Sequence, residues 1–363
     1  MARFIAFYLP QFHQIPENNE WWGQGFTEWV NVAKARSLFK GHHQPNIPAD
    51  LGFYDLNSPE VRKKQADLAK EAGIEGFCYW HYWFGNGKQL LEMPFNEVVK
   101  SGEPDFPFCL GWANHSWFNK LWDPNNPGKD KLLIEQKYGG YEDYLMHFNH
   151  LLPAFKDKRY IKVNGKLFFL IYDPLKFDDV SNFIKIWRNF ASENGLIDFY
   201  FVATDFDSRN KKKILDLGFD AIYNSDTFNI HHKLSNFSKG ILMLKRKYLK
   251  MPTVFDYSKA IKYMVIDDCK NKEVIPMIVP NWDHSPRSGA NAIILNNSKP
   301  QYFKKIAKFA IDIVKNKPKD EQIILIKSWN EWGEGNYMEP DLRFGKGYIN
   351  ALKEAVEENK SNK

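Results

Sequence analysis

The sequence predicts a single (β/α)8 barrel, and three observations predict it. Eight short apolar runs alternate with eight amphipathic stretches along the chain. No Gly-x-Gly-x-x-Gly pattern or phosphate loop follows an early run, as a doubly wound nucleotide-binding sheet would require. Polar and aromatic residues also gather where run after run ends, and in a barrel those strand ends form the face that carries the chemistry.

The expected strands are 4–9, 74–83, 106–112, 167–172, 199–204, 221–224, 274–279 and 323–327, each rich in β-branched or aromatic residues. The expected helices are 59–72, 94–100, 141–155, 180–194, 210–217, 259–269, 301–314 and 348–358. Ser58-Pro59-Glu60 reads as an N-cap followed by proline in the first turn, and Gly73 and Gly195 fall where helices should stop. With 363 residues the length alone suggests two domains, but α/β barrels often run long as one unit. The barrel is therefore expected to fill 1–358, with long insertions at 12–56 and 228–257 and a frayed tail at 359–363. The first insertion, rich in Trp, Gly, His and Pro, reads as a lid or binding wall. The second is basic and partly helical around Ile241-Leu242-Met243-Leu244-Lys245-Arg246.

Composition narrows the function. Aromatic residues make up 16% of the chain, with 12 Trp and 17 Tyr, many clustered as in Trp21-Trp22 and Tyr79-Trp80-His81-Tyr82-Trp83. A core does not call for so many indoles, since each buried N–H needs a partner. A cleft for a ligand with flat apolar faces and hydroxyl edges does. The net charge of +6 is spread out, and the clusters Lys211-Lys212-Lys213 and Lys245-Arg246-Lys247 read as solvated faces. No nucleic-acid motif accompanies them, so no nucleic-acid partner is expected. Cys78, Cys109 and Cys269 have neither metal spacing nor an even count, so reduced thiols are expected, the first two as core residues. The apolar start is too short for a signal peptide, and no run approaches a membrane span. The expectation is a cytoplasmic chain without an integral membrane segment; its oligomeric state is not legible.

The chemistry points to Ser328-Trp329-Asn330-Glu331-Trp332-Gly333-Glu334-Gly335, directly after the last strand. Two close carboxyl groups in different surroundings can donate and accept protons, which is what glycosidic chemistry needs. Glu331 and Glu334 are the catalytic candidates, and Trp329 and Trp332 offer faces for sugar rings. The substrate candidates at other strand ends are Tyr8, His81, Tyr82, Trp112, Asn114, His115, Tyr172, Asn281, Trp282, Asp283 and Asn330, joined by the loop residues His13, Trp22, Glu28 and Glu339. Tyr8, Tyr82 and Trp282 are the preferred sugar contacts. Alternation along 79–83 allows only some of those rings to face inward, and the others are core filler. Further polar strand ends are Asp173, Thr204-Asp205 and Asn224-Ser225-Asp226. His13, His81, His115 and His284 match no ligand spacing, so no metal and no cofactor is expected. Asp205-Phe206-Asp207 matches, superficially, the Asp-x-Asp of nucleotide-sugar transferases that bind a divalent ion.

Five segments carry a family resemblance: Tyr8-Leu9-Pro10-Gln11-Phe12-His13, Trp22-Gly23-Gln24-Gly25-Phe26-Thr27-Glu28-Trp29, Gly76-Phe77-Cys78-Tyr79-Trp80-His81-Tyr82-Trp83, Asn281-Trp282-Asp283-His284-Ser285-Pro286-Arg287 and Trp329-Asn330-Glu331-Trp332-Gly333-Glu334-Gly335. Over nearly its whole length the chain resembles the WbsX-type family. That family is often labelled a glycosyltransferase of surface-polysaccharide loci and is related to glycoside hydrolase family 99, the endo-α-mannosidases and endo-α-mannanases. The resemblance implies a (β/α)8 barrel and an oligosaccharide or polysaccharide substrate. It also implies that Glu331 is the base that deprotonates the sugar's own 2-hydroxyl, giving an epoxide-like intermediate with retention. Glu334 would then be the acid, and afterwards the base, at the glycosidic oxygen. One position departs from the pattern: relatives commonly have glutamate after Trp-Ala-Asn, where this chain has His115.

Three readings follow. The first is a retaining glycosidase or transglycosylase acting on an α-linked, mannose-like glycan. The second is a glycosyltransferase of polysaccharide synthesis, for which no phosphate cradle is found. The third is a glycan-binding barrel without catalysis, motivated by His115.

Overall fold

The structure, a computed structural model, describes residues 2–119, 130–207, 209–224 and 235–361. The expected strand-end residues Ser225 and Asp226, and residues 228–234 of the second insertion, lie outside the described residues.

Eight parallel strands build the expected barrel. They are β1 (Arg3–Tyr8), β2 (Gly76–His81), β3 (Phe108–Trp112), β4 (Lys166–Ile171), β5 (Phe199–Asp205), β6 (Ala221–Asn224), β7 (Val274–Ile275 with Met277–Ile278) and β8 (Ile323–Ile326). The strands neighbour one another in chain order, and β1 pairs with β8 through Phe4↔Ile324 and Ile5↔Leu325. β7 is broken in the middle by Pro276, which has no N–H to give the ladder. Its first half pairs with β6 and its second half with β8, which closes the ring.

Helices cover the outside. The helix Pro59–Ala72 starts at Ser58, whose side chain accepts the Val61 amide at 3.3 Å, and ends before Gly73 at φ 85°. Helices Tyr141–Phe155, Val180–Glu193 and Pro300–Val314 keep the expected bounds to within one residue. The expected helix 259–269 is instead a single turn, Tyr257–Ala260, followed by two 3-10 turns. The last helix, Gly347–Ser361, runs on into the stretch expected as tail.

Additions at the C-terminal pole were not foreseen. Trp117–Asn119 and Lys131–Ile134 form a hairpin. Thr253–Asp256, Ile293–Asn296 and Trp282–Asp283 form a small sheet. Asn330–Glu331 pairs with Asn336–Tyr337 just beyond β8.

In a barrel, alternate residues face the interior and the helices. Phe7, Trp80 and Tyr223 meet inside: Phe7 stacks on Trp80 at 4.7 Å and lies 5.6 Å from Tyr223. Tyr8, one residue on, faces outward against Phe77 and Tyr79 and donates to Gln65 of the helix Pro59–Ala72. Cys78 and Cys109 are buried side by side as free thiols.

Candidate active site

A cleft of about 1180 Å³ opens at the C-terminal ends of the strands. Trp80, Tyr82, Tyr172 and Lys327, each of inward parity or just past a strand of that parity, line it together with Glu331 and Glu334. The first insertion supplies Trp22 and Glu28 to its lining. Asn114 and His115 come from the end of β3, and the unforeseen hairpin adds Trp117 and Leu133.

The carboxylates are built from the end of β8. Glu331 sits in the short ladder opposite Asn336, and a 3-10 turn, Trp332–Glu334, carries the chain to Glu334. Gly335 closes that turn at φ 58°, and any side chain there would run into Asp283. Several predicted residues hold this turn from behind. Asn330 exchanges two hydrogen bonds with the Leu9 backbone, at 2.7 and 3.0 Å. Asn281 accepts the Tyr337 amide at 2.9 Å. Trp332 stacks on Tyr337 and donates its indole N–H to Glu339 at 2.6 Å.

Arg287 joins the carboxylates. Its Nη1 lies 2.6 Å from Glu334 Oε1 and 3.6 Å from Glu331 Oε1, and its Nε donates to Glu28 at 3.1 Å. End to end, the two Nη1 contacts cap the distance between those carboxyl oxygens below the roughly 6.5–9.5 Å of inverting pairs. Asp283 places the arginine: it accepts the Ser285 amide at the start of the short helix Ser285–Ser288 and is itself held by His42 and Gln44. Lys327 stands 3.7 Å from Glu334 and 5.0 Å from the Trp282 ring centroid.

The two carboxyls differ sharply. Burial and the neighbouring Glu334 charge push Glu331 up to about 7, against Lys327, Arg287 and the Ser328 hydroxyl. Burial also pushes Glu334 up, but Lys327, Arg287 and His284 outweigh it and hold that carboxyl at about 2. Below about 7 the pair therefore holds one proton, on Glu331, while Glu334 is ionised. Burial raises the phenols of Tyr82 and Tyr172, so both face the cleft as neutral hydroxyls.

The other predicted residues sit elsewhere. His81 and Trp112 have outward parity: His81 is 2.8 Å from His147, and Trp112 donates to the Trp83 carbonyl. Tyr8 is committed to Gln65. His13 is buried away from the cleft. Trp329 is wholly buried against Phe77, and Trp332 against Tyr337. Asn281, Trp282 and Asp283 border a small polar groove beside the cleft instead of lining it. Glu339 is buried behind the turn, accepting from Tyr54, Gln65 and Trp332. These side chains do not reach the cleft. Asn114 does reach it, but its amide also bridges the Asp173 backbone and Tyr138. Asp207 of the Asp-x-Asp match is bound by Arg209. Among the described residues no three His, Cys, Asp or Glu side chains come together as a metal-binding set.

Arg287, Lys327 and Trp80 were not among the expected site residues, although Trp80 stood in the aromatic cluster 79–83. Arg287 stood in a quoted motif, and Lys327 shares the parity of Leu325 in β8.

The comparisons fit this architecture. The family model described as Glycosyltransferase WbsX matches residues 4–352. A protein of Xanthomonas campestris pv. campestris (strain B100), described as "Uncharacterized protein WxcX", is 36% identical over 360 residues, covering 98% of this chain and 50% of its own length. The WxcX protein of strain ATCC 33913 matches to the same extent. This chain thus spans about half the length of these curated relatives. Among solved structures, a GH99 endo-α-mannosidase from Bacteroides thetaiotaomicron aligns with TM-score 0.55 at 16% identity, covering 99% of this chain and 98% of that one. A "Glycoside hydrolase-like protein" aligns with TM-score 0.60 at 13% identity, covering 98% and 93%. At such identities the likeness is one of fold. The sequence match over nearly the whole chain goes further: the protein belongs to the WbsX glycosyltransferase family.

Proposed function

We propose that this chain is a carbohydrate-active enzyme, a retaining glycoside hydrolase or transglycosylase acting on an α-linked, mannose-like glycan. The observation that carries the reading is the pair Glu331 and Glu334, bridged by one guanidinium in an aromatic cleft and held in opposite protonation states. In the first step Glu331 takes the proton of the sugar 2-hydroxyl while that oxygen attacks the anomeric carbon. Glu334 gives a proton to the departing glycosidic oxygen. In the second step Glu334 takes a proton from water or an acceptor hydroxyl as it attacks the same carbon, and Glu331 returns its proton to the 2-oxygen.

The raised Glu331 carboxyl suits a base, because a higher pKa means a stronger proton acceptor near neutral pH. The role implied for Glu334 runs against its ion pair with Arg287. The glycan must therefore loosen that pair, so that the proton held by Glu331 in the empty cleft can pass to Glu334. Glu331→Gln and Glu334→Gln, each assayed on α-linked mannosides, test the reading. Turnover should fall at least about a thousandfold in both, with glycan binding retained. Full activity in both variants would overturn it.

Transfer from a nucleotide sugar is the second reading, favoured by the family's description. Calorimetry with nucleoside diphosphates and manganese separates the two, since the hydrolase reading expects no heat of binding.

A further inference from the structure

Lys327 brings donors to the cleft that the chemistry above does not use. It lines the cleft beside Glu334, with 18% of its side chain exposed. Its ammonium has three N–H donors. Among the described residues none of them makes a hydrogen bond to the protein: the nearest carboxylate oxygen, Glu334 Oε2, is 3.7 Å away, and the Trp282 ring centroid 5.0 Å. The other lysine and arginine of the lining are engaged, Arg287 at 2.6 Å from Glu334 and Lys176 at 2.8 Å from Asp173. A half-buried ammonium with open donors needs oxygen acceptors from whatever fills the cleft. Tyr172 adds a donor close by. Its ring sits against Trp80, His115 and Phe206, and its hydroxyl makes no hydrogen bond to the protein among the described residues. Burial raises that phenol, and Lys327 is the charge that acts on it most strongly.

We infer that a sugar next to the cleaved bond carries a carboxylate, as a uronic acid does, and that Lys327 is the residue that selects it. This rests on the glycosidase reading above and narrows its substrate to an acidic glycan. The hydroxyls of a neutral sugar would meet the open donors, but they would leave Lys327 and Arg287 both holding Glu334 ionised. A carboxylate does more. It takes up the charge of the ammonium with charge-assisted hydrogen bonds and sets a negative charge near Glu334, and both effects favour a proton there. Among the described residues Lys327 is within 4.0 Å of no carboxylate other than Glu334, so the effect falls on that member of the pair. Burial raises Glu334, and of the charges that oppose burial Lys327 is the strongest. The bound acid thus supplies the loosening that the role of Glu334 requires, and the proton passes to it from Glu331.

The test is calorimetry with two ligands, an α-linked mannan oligosaccharide and the same oligosaccharide with its primary hydroxyls oxidised to carboxylates. The protein is the full chain carrying Glu331→Gln, whose neutral amide matches the protonated carboxyl of the empty cleft. The oxidised ligand should bind at least about tenfold tighter than the neutral one. Lys327→Met, added to that chain, should bring the two affinities to within about twofold with unchanged circular dichroism, whereas Lys327→Arg keeps the charge and should keep the preference. Equal affinities before any change at Lys327, tighter binding of the neutral ligand, or a preference that survives Lys327→Met would overturn the inference. The glycosidase reading fails on a different measurement, full turnover by Glu331→Gln and Glu334→Gln, so the two failures are told apart.

Discussion

A Cβ placed on Gly333 would lie 1.9 Å from Oε2 of Glu28. Gly333 belongs to the turn between the two glutamates and Glu28 to the helix Glu28–Lys34 of the first insertion, and only a hydrogen lets them meet. Glu28 has little room to retreat, because it is buried and bound by Arg287, whose Nε would itself stand 3.0 Å from the new methyl. Gly333→Ala is therefore expected to push Arg287 off Glu334 and to lower kcat/KM by about a hundredfold, as small misplacements of reacting groups do. Steady-state kinetics beside a thermal melt checks this, with the melt expected to move little.

The proton balance of the pair predicts a pH profile. The mechanism needs one proton on the pair, and Glu331 gives it up as pH rises through about 7, so the kcat/KM of the chain should fall above that value. Lys327 helps keep Glu331 ionised, so Lys327→Met should move the limb to higher pH. A limb that descends on the acid side of 7 instead would mean that the pair works without that proton.

Glu339 links stability to pH. Burial raises its carboxyl to about 7, although Trp332, Gln65 and Tyr54 donate to it. A carboxyl with a raised folded value stabilises fully below its unfolded value, and that stability is lost as pH rises through the folded value. Between pH 4.5 and about 7 the fold should therefore weaken, by about 3 kcal/mol at most from this group, and level off above that. Glu339→Gln cannot ionise and removes this dependence. It should cost roughly 1–3 kcal/mol at acid pH through a mismatched donor, and less at alkaline pH. Denaturant titrations at several pH values measure the difference.

Parity predicts a contrast between two aromatic residues. Tyr8 faces the helices, so Tyr8→Phe should cost about 1 kcal/mol through the lost Gln65 contact and leave the kinetics unchanged. Trp22 is 40% exposed and lines the cleft wall, where the proposed glycan would meet its face. Trp22→Ala should raise KM by roughly tenfold with kcat nearly kept, the sign of lost uniform binding. Paired melts and substrate titrations distinguish the two.

Much of this was legible before any coordinates. Helix Pro59–Ala72 was marked at both ends by Ser58-Pro59 and Gly73, local signals that do not depend on the rest of the chain. The helix expected at 259–269 had no such caps, and the small sheet around Thr253–Asp256 and Ile293–Asn296 broke it up through partners far along the chain. Tyr8, His81 and Trp112 looked like cleft residues because they stand at strand ends. A barrel strand is buried on both faces, so its sequence reads as a continuous apolar run with no alternation to mark the inside.

From its residues alone the chain declares a (β/α)8 barrel, a family and the two glutamates after its last strand, because each is written in contiguous segments. Only the tertiary structure decides which strand-end side chains look into the cleft. It alone brings Arg287 to Glu28 across 259 positions of chain. Inward or outward facing depends on register and closure, and the charge balance of the glutamates depends on side chains that no local pattern connects.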